Sequence, residues 1–452
     1  MENKKKSGFS GKLGFILAAA GSAVGLGNIW RFPYLASKYG GGIFLFTYVV
    51  LSVTFGFSLM IAEIAIGRRT GKNALEAFGN IDKRYSFIGK IAVIGPLIVL
   101  PYYSVIGGWV VKYFFAYLTG SGNDTLQSGY FDTFVSSTGE PIVWLCVFAA
   151  VTVLIVMMGV EKGTERVSKI TMPILAALSV FIAIYVATID GAFAGIIYYI
   201  TPDFSKLSPM TVVAAVGQLF YSMTLAMGVM ITYGSYMKKD VSLEKSVHII
   251  EFFDTGMAFL AGLMVIPAVF AFSGGAEEAL GQGPALMFVT LPKVFGSMAG
   301  GQIMGTLFFL LVFFAALTSS VSMTEAIVSV LEDKLKIGRQ RLCLIVLLFV
   351  VLVGTPSSLG YGVWSGIKIF GLGFLDFFDF LGNSLLMPTV AFFTCVFLGF
   401  VVKPSFVTEE IELNGRFKMK GLFGVMIKYI APAFLVAIIV FSALDVFDII
   451  II

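Results

Sequence analysis

An apolar segment from Leu13 to about Leu35 is interrupted in its middle by Gly21, Gly25, Gly27, Asn28 and Arg31, within the run AAAGSAVGLGNIWR. Lipid cannot satisfy a freed N–H or C=O, so a membrane helix keeps its hydrogen bonding unbroken. Glycine weakens a helix interior by roughly 1 kcal/mol against alanine. An arginine near the bilayer centre costs at least ~2.5–3.5 kcal/mol on insertion scales. A span that only anchored the chain would avoid both. The residues therefore predict a discontinuous helix whose bare carbonyls and N–H groups line a site inside the membrane. Two plainer readings compete. Gly21-x-x-x-Gly25 is also a helix-packing pattern, but packing accounts for neither Asn28 nor Arg31. Lys4-Lys5-Lys6 followed by an apolar run imitates a signal peptide, yet ten more apolar spans follow.

Hydrophobic residues make up 58% of the 452-residue chain and charged ones 13%. Soluble domains carry about 25% charged residues, so the chain is expected to be an all-α integral membrane protein. The net charge of +4 then implies nothing about nucleic acid. Cys146, Cys343 and Cys395 all fall in apolar spans, which argues against a disulfide framework or a thiolate metal site. His248 is the single histidine, which removes most zinc and triad chemistry.

Runs of about 20 apolar residues give eleven expected spans, near 13–37, 43–67, 88–118, 141–159, 168–189, 211–237, 246–272, 302–331, 340–353, 374–402 and 422–447. Of the 31 basic residues, 25 fall at alternate junctions, before the first span and after the even-numbered ones. The positive-inside rule puts the N-terminus in the cytoplasm and the C-terminus outside the cell membrane. Spans one to five (13–189) and six to ten (211–402) form two halves of a single transporter domain, with an additional span at 422–447. Each half opens on a span with suspicious material midway, in the sixth at Thr224-Leu225-Ala226-Met227-Gly228. Five spans per half force opposite orientations, and inverted repeats with broken helices 1 and 6 point to a secondary transporter.

The run from Gly21 to Pro33 followed by Gly40-Gly41-Gly42 resembles the signature of the neurotransmitter:sodium symporter family. Gly217-Gln-Leu-Phe-Tyr-Ser222, Ile231-Thr-Tyr-Gly-Ser-Tyr236 and Ala315-Ala-Leu-Thr-Ser-Ser320 with Leu331-Glu-Asp333 are similar to further family motifs. The resemblance covers residues 6 to about 447. It implies co-transported sodium, a hard cation that takes oxygen ligands, and no organic cofactor. By that resemblance one sodium site takes the Ala23 carbonyl, the side chains of Asn28, Ser222 and Asp254, and the substrate's carboxylate. The second takes the carbonyls of Gly21, Val24 and Ala315 with the hydroxyls of Thr318 and Ser319. For those hydroxyls the plainer role is back-bonding to the preceding helical turn. Arg31 is expected to pair with Asp379 as an outer gate over Tyr221, with Asp376 as a rival. The inner gate falls on Lys6 and Phe9, with Asp333 and Tyr236 as partners. Lysine stands where the family has arginine and lacks its rigid fork.

The resemblance also bears on what is carried. Amine-transporting members place an aspartate where this chain has Gly25, so the ligand is expected to bring its own carboxylate. N–H groups of the broken helix at Ala23, Gly25, Leu26 and Gly27 would hold it, with the Tyr103 hydroxyl. The side-chain pocket would be Val99, Tyr103, Tyr221, Thr224, Met227, Ser319 and Met323, for which ordinary packing is the alternative. No charge lies among them, which selects a neutral, apolar α-amino acid; an aromatic one is the runner-up. Chloride-binding relatives have asparagine at Asp254 and serine at Ala258, so chloride-independent transport is expected; Tyr48, Gln218 and Ser222 match their other residues. Alternatively Asp254, one turn after Glu251, caps the inner end of its span. An enzyme is disfavoured for want of a nucleophile with a base, and a nucleotide-driven pump for want of a phosphate loop. A substrate-sensing receptor or a channel on the same scaffold stays open, as does a homodimer.

Overall fold

The computed structural model describes residues 8–273 and 284–446, and among them it is helical throughout with no strand. Lys6 lies outside the described residues. The first apolar segment is two helices, α1 (Lys12–Ala23) and α2 (Gly27–Lys38), bent by 51° at the break. There follow α3 (Gly42–Thr70), α4 (Lys83–Leu118), α5 (Glu140–Met157) and α6 (Val160–Ala187). The sixth segment is again two pieces, α7 (Pro209–Ser222) and α8 (Val229–Ser235). Next come α9 (Leu243–Ser273), α10 (Gly301–Leu335), α11 (Arg339–Leu359) and α12 (Phe374–Val401). A short helix α13 (Ser405–Glu412) precedes α14 (Lys420–Leu444).

Every expected apolar segment is helical. Among the described residues nine helices are long and apolar enough to cross a membrane, ten with the bent first pair. The sixth segment, split into pieces of 14 and 7 residues, does not meet that length test. The fifth helix starts at Val160, eight residues before the expected 168. The charged stretch there is stabilised by neighbours: Glu165 accepts from the Ser10 backbone N–H at 2.8 Å and pairs with Lys169 at 2.6 Å. The long loops also hold short helices, Tyr130–Ser136, Ala192–Ile200 and Leu291–Ser297.

Burial separates inner helices from outer ones. In their most apolar stretches, 78% of α3 is buried but only 33% of α14. The rest of an outer helix is the apolar surface that lipid covers. The inner helices α1, α2, α3, α4, α7, α8, α9 and α10 therefore surround the two breaks.

Each break has an identifiable cause. At the first, Val24 leaves helical geometry (φ −76, ψ 109). The Asn28 side-chain oxygen accepts from the Gly25 N–H at 3.0 Å and so replaces a lost helical bond. At the second, Thr224 and Ala226 adopt left-handed φ of 53° and 61°, unusual for residues with a Cβ. Two side chains fix them there. Thr224 donates from Oγ1 to the Ser22 carbonyl at 2.7 Å, and the Ala226 N–H donates to the buried Glu63 carboxyl at 2.6 Å.

Candidate functional site

All eleven residues expected around the substrate (Ala23, Gly25, Leu26, Gly27, Val99, Tyr103, Tyr221, Thr224, Met227, Ser319 and Met323) line one cavity between the two breaks. Ser22, Ser222 and Asn383 line it as well. The Tyr103 hydroxyl accepts from the Leu26 N–H at 3.2 Å. Gly25 is required by close approach: a Cβ there would stand 2.7 Å from Ser319 Oγ and 3.0 Å from the Tyr103 hydroxyl. A Cβ on Gly27 would collide with the Tyr221 ring at 2.2 Å. No lining side chain carries a charge. The space left is about 20 Å³, about one water's worth.

Beside this cavity Asp254, fully buried near the middle of α9, gathers polar groups from three other helices. Asn28 donates from Nδ2 to Asp254 Oδ1 at 2.8 Å and to its carbonyl at 3.1 Å. The Tyr48 hydroxyl and Ser222 Oγ both reach Asp254 Oδ2, at 3.1 and 3.2 Å. Asn28, Ser222 and Asp254 are thus brought together, with Ala23 on the wall of the same cavity. Asp254 lies eleven residues into α9, too deep to cap it, and Glu251 pairs instead with His248 at 3.4 Å.

On the other side of the first break Ser319 faces the bare carbonyls. Its Oγ lies 3.1 Å from the Ser22 oxygen, 3.2 Å from that of Val24 and 3.5 Å from that of Gly21. Thr318 packs its Cβ about where a Gly21 side chain would begin, at 3.2 Å. In this conformation its hydroxyl makes the back-bond of the plainer reading, to the carbonyls of Phe314 at 3.0 Å and Ala315 at 3.2 Å.

At the outer gate the expected pair is not formed. No ion pair joins Arg31 to Asp379 or Asp376. Arg31 stands 5.1 Å over the Tyr221 ring and reaches the Gly217 carbonyl and Gln218 Oε1 only at 3.4 and 3.5 Å. A cavity of about 200 Å³ opens between Arg31 and the two aspartates. Asp379 accepts instead from the Tyr102 hydroxyl at 2.9 Å and Asn383 Nδ2 at 2.6 Å. Aromatic rings pack together at the opposite end of the first helix. Phe9 is buried edge-on against Tyr233, with ring centres 5.3 Å apart, and against Tyr236 at 6.1 Å. Tyr236 donates to Glu325 at 3.2 Å, Glu325 pairs with Arg339, and Asp333 accepts from Asn73 at 2.7 Å. Glu63, Glu325 and Asn383 were missed from sequence; the available signal was a polar side chain inside an apolar span.

The comparisons with known proteins agree with this geometry. The model of the sodium:neurotransmitter symporter family matches residues 6–126 and 126–449. The chain is 37% identical over 449 residues to the uncharacterized sodium-dependent transporter YhdH of Bacillus subtilis, covering 98% of each chain. It is 32% identical to an uncharacterized sodium-dependent transporter of Haemophilus influenzae, covering 96% of this chain and 98% of the other. The crystal structure of MhsT in complex with L-phenylalanine superposes with a TM-score of 0.88 at 36% identity, over 97% of this chain and 100% of that one. With a family model spanning nearly its whole length and two broken helices around one cavity, this chain belongs to the sodium:neurotransmitter symporter family of membrane transporters.

Proposed function

We propose that the protein is a sodium-coupled symporter that takes up a neutral, apolar α-amino acid by alternating access, without chloride. Eleven crossings in two inverted halves, with the cytoplasmic N-terminus of the positive-inside rule, complete the reading; α7 and α8 together make the sixth crossing. The observation that carries it is the uncharged cavity at the first break. Gly25 leaves no carboxylate to meet an amine, while the Leu26 N–H and the Tyr103 hydroxyl, now bonded to each other, lie on the cavity wall where a ligand's carboxylate would take their hydrogens. Ser319 and Asp254 flank that cavity with oxygen atoms suited to sodium. A binding screen of the twenty amino acids against purified protein, with and without sodium, tests the reading. Sodium-independent binding, or binding of amines alone, overturns it. Uptake against a gradient into vesicles separates a transporter from a receptor or channel on the same scaffold.

Aliphatic side chains are expected to bind more tightly than tryptophan. Thr224 and Ala226 bring a side chain to left-handed positions of the second break, taking room from the pocket and stiffening its wall. A difference of one methylene is worth about 1–3 kcal/mol, so the effect is a preference. The L-phenylalanine bound to MhsT supports the second reading, an aromatic substrate. Competition between leucine, phenylalanine and tryptophan decides, and tighter tryptophan binding than leucine overturns the aliphatic preference.

Arg31 and Asp379 are proposed to meet when the outer cavity closes. Arg31→Ala should impair closure, and reversing both charges together should restore more uptake than either single reversal. If the double reversal behaves as the sum of the singles, Asp376 takes the place of Asp379.

A further inference from the structure

Asn383, on α12, is buried to 8% exposure, and its side-chain oxygen has no hydrogen-bond partner among the described residues. A buried acceptor left unpaired costs free energy comparable to a lost hydrogen bond, so its persistence asks for a reason. The orientation of the amide is fixed by its neighbours. Nδ2 donates to Asp379 Oδ1 at 2.6 Å and to the Tyr102 hydroxyl oxygen at 2.8 Å, while Tyr102 donates to the same Asp379 oxygen at 2.9 Å. A carboxylate oxygen only accepts, so the nitrogen must face Asp379 and the oxygen must face away. Both amide hydrogens are thereby spent and one acceptor is left over.

Asn383 lies one helical turn beyond Asp379, on the same face of α12. It lines a second outer cavity, of about 360 Å³, that Arg31, Asp376 and Asp379 also line, and it lines the substrate cavity too. Across the outer cavity Arg31 has the complementary surplus. Its guanidinium carries five donors, and its hydrogen bonds are two contacts at 3.4 and 3.5 Å. A residue with unspent donors and one with an unspent acceptor beside a carboxylate thus line the same cavity.

We propose that Asn383 is a positioning residue of the outer gate: on closure Arg31 bridges Asp379 and the Asn383 side-chain oxygen. Asp379 supplies the charge and Asn383 the second prong of the guanidinium fork. Because Asn383 also borders the substrate cavity, closure registers against an occupied pocket. The inference rests on the Arg31–Asp379 gate proposed above and adds to it a neutral acceptor that decides how long the ligand stays trapped.

The test is the rate at which purified protein in saturating sodium releases tritiated L-leucine, or L-phenylalanine where leucine is the weaker ligand. Asn383→Leu removes the acceptor and should speed release about tenfold or more, the loss expected for one hydrogen bond to a charged group. In an Arg31→Ala background the same substitution should add nothing. Asn383→Asp keeps an oxygen and loses the amide donor, so release should stay as slow as in the wild type or become slower. If Asn383 serves only to hold Asp379 through Nδ2, Asn383→Asp will release as fast as Asn383→Leu, because repulsion between the two carboxylates adds to the lost bond. That result overturns the proposal, as does unchanged release in Asn383→Leu with binding intact. Absence of sodium-dependent binding in the wild type overturns the transport reading itself, and this inference with it.

Discussion

Uptake into vesicles containing the purified protein is expected to fall to background when sodium is replaced by potassium or choline, and to carry net charge when sodium is present. Two sodium ions moving with a zwitterion carry two charges, worth roughly 4.6 kcal/mol per 100 mV. That alone sustains a ligand gradient of over ~10³-fold. The residues that should make this coupling fail are Thr318 and Ser319. Ser319 Oγ sits within 3.5 Å of three carbonyl oxygens freed by the break in the first helix. A cation entering there would take the carbonyls of Gly21, Val24 and Ala315 with the hydroxyls of Thr318 and Ser319, the ligand chemistry a hard ion selects. Thr318→Ala with Ser319→Ala removes both hydroxyls and should abolish sodium-dependent uptake. Ser319 also ties α10 to the broken helix, so melting temperature must be followed alongside uptake. Retained uptake with unchanged sodium dependence in the double variant refutes the second sodium site; loss of uptake in a protein that no longer melts cooperatively points to packing.

The two breaks show how much of such a site a sequence exposes. The first is spelled out locally, because glycines, Asn28 and Arg31 all lie within eleven residues and each conflicts with a membrane helix. The second is nearly silent. Thr224 and Ala226 are ordinary residues, and what holds them at positive φ comes from Ser22 and Glu63, far away in the chain. The substrate cavity was legible through motif resemblance, since spacing alone does not separate Met227 or Met323 from packing. Glu325 does not stand out in the sequence among the charges of α10, and only the reach of the Tyr236 hydroxyl singles it out. Arg31 and Asp379 carry opposite charges, yet both line a cavity of about 200 Å³ without pairing, and a sequence does not specify how far apart two such side chains stand.

Transport is expected to continue undiminished when chloride is replaced by gluconate, because Asp254 stands where a chloride-binding relative needs a neutral residue. The geometry gives a physical reason beyond charge. A chloride beside the first sodium would need hydrogen-bond donors, and the donors in reach are already engaged. Tyr48 and Ser222 both point at Asp254 Oδ2, at 3.1 and 3.2 Å. Gln218 spends its Nε2 on the Gly27 carbonyl at 2.8 Å. Ala258, fully buried one turn beyond Asp254, offers only a methyl group. A lone carboxylate inside a membrane is costly, but one facing a bound cation is compensated by it. Asp254→Asn removes that compensation and leaves two sodium ions with too little negative charge, so the single variant should lose most uptake. Adding Ala258→Ser supplies a hydroxyl, while the change at Asp254 releases Tyr48 and Ser222 from the carboxylate, so the double variant should regain uptake in chloride and lose it in gluconate. Wild-type uptake that collapses in gluconate overturns the assignment. So does a double variant that stays indifferent to chloride while still transporting, since the negative charge at the first sodium would then come from somewhere other than Asp254.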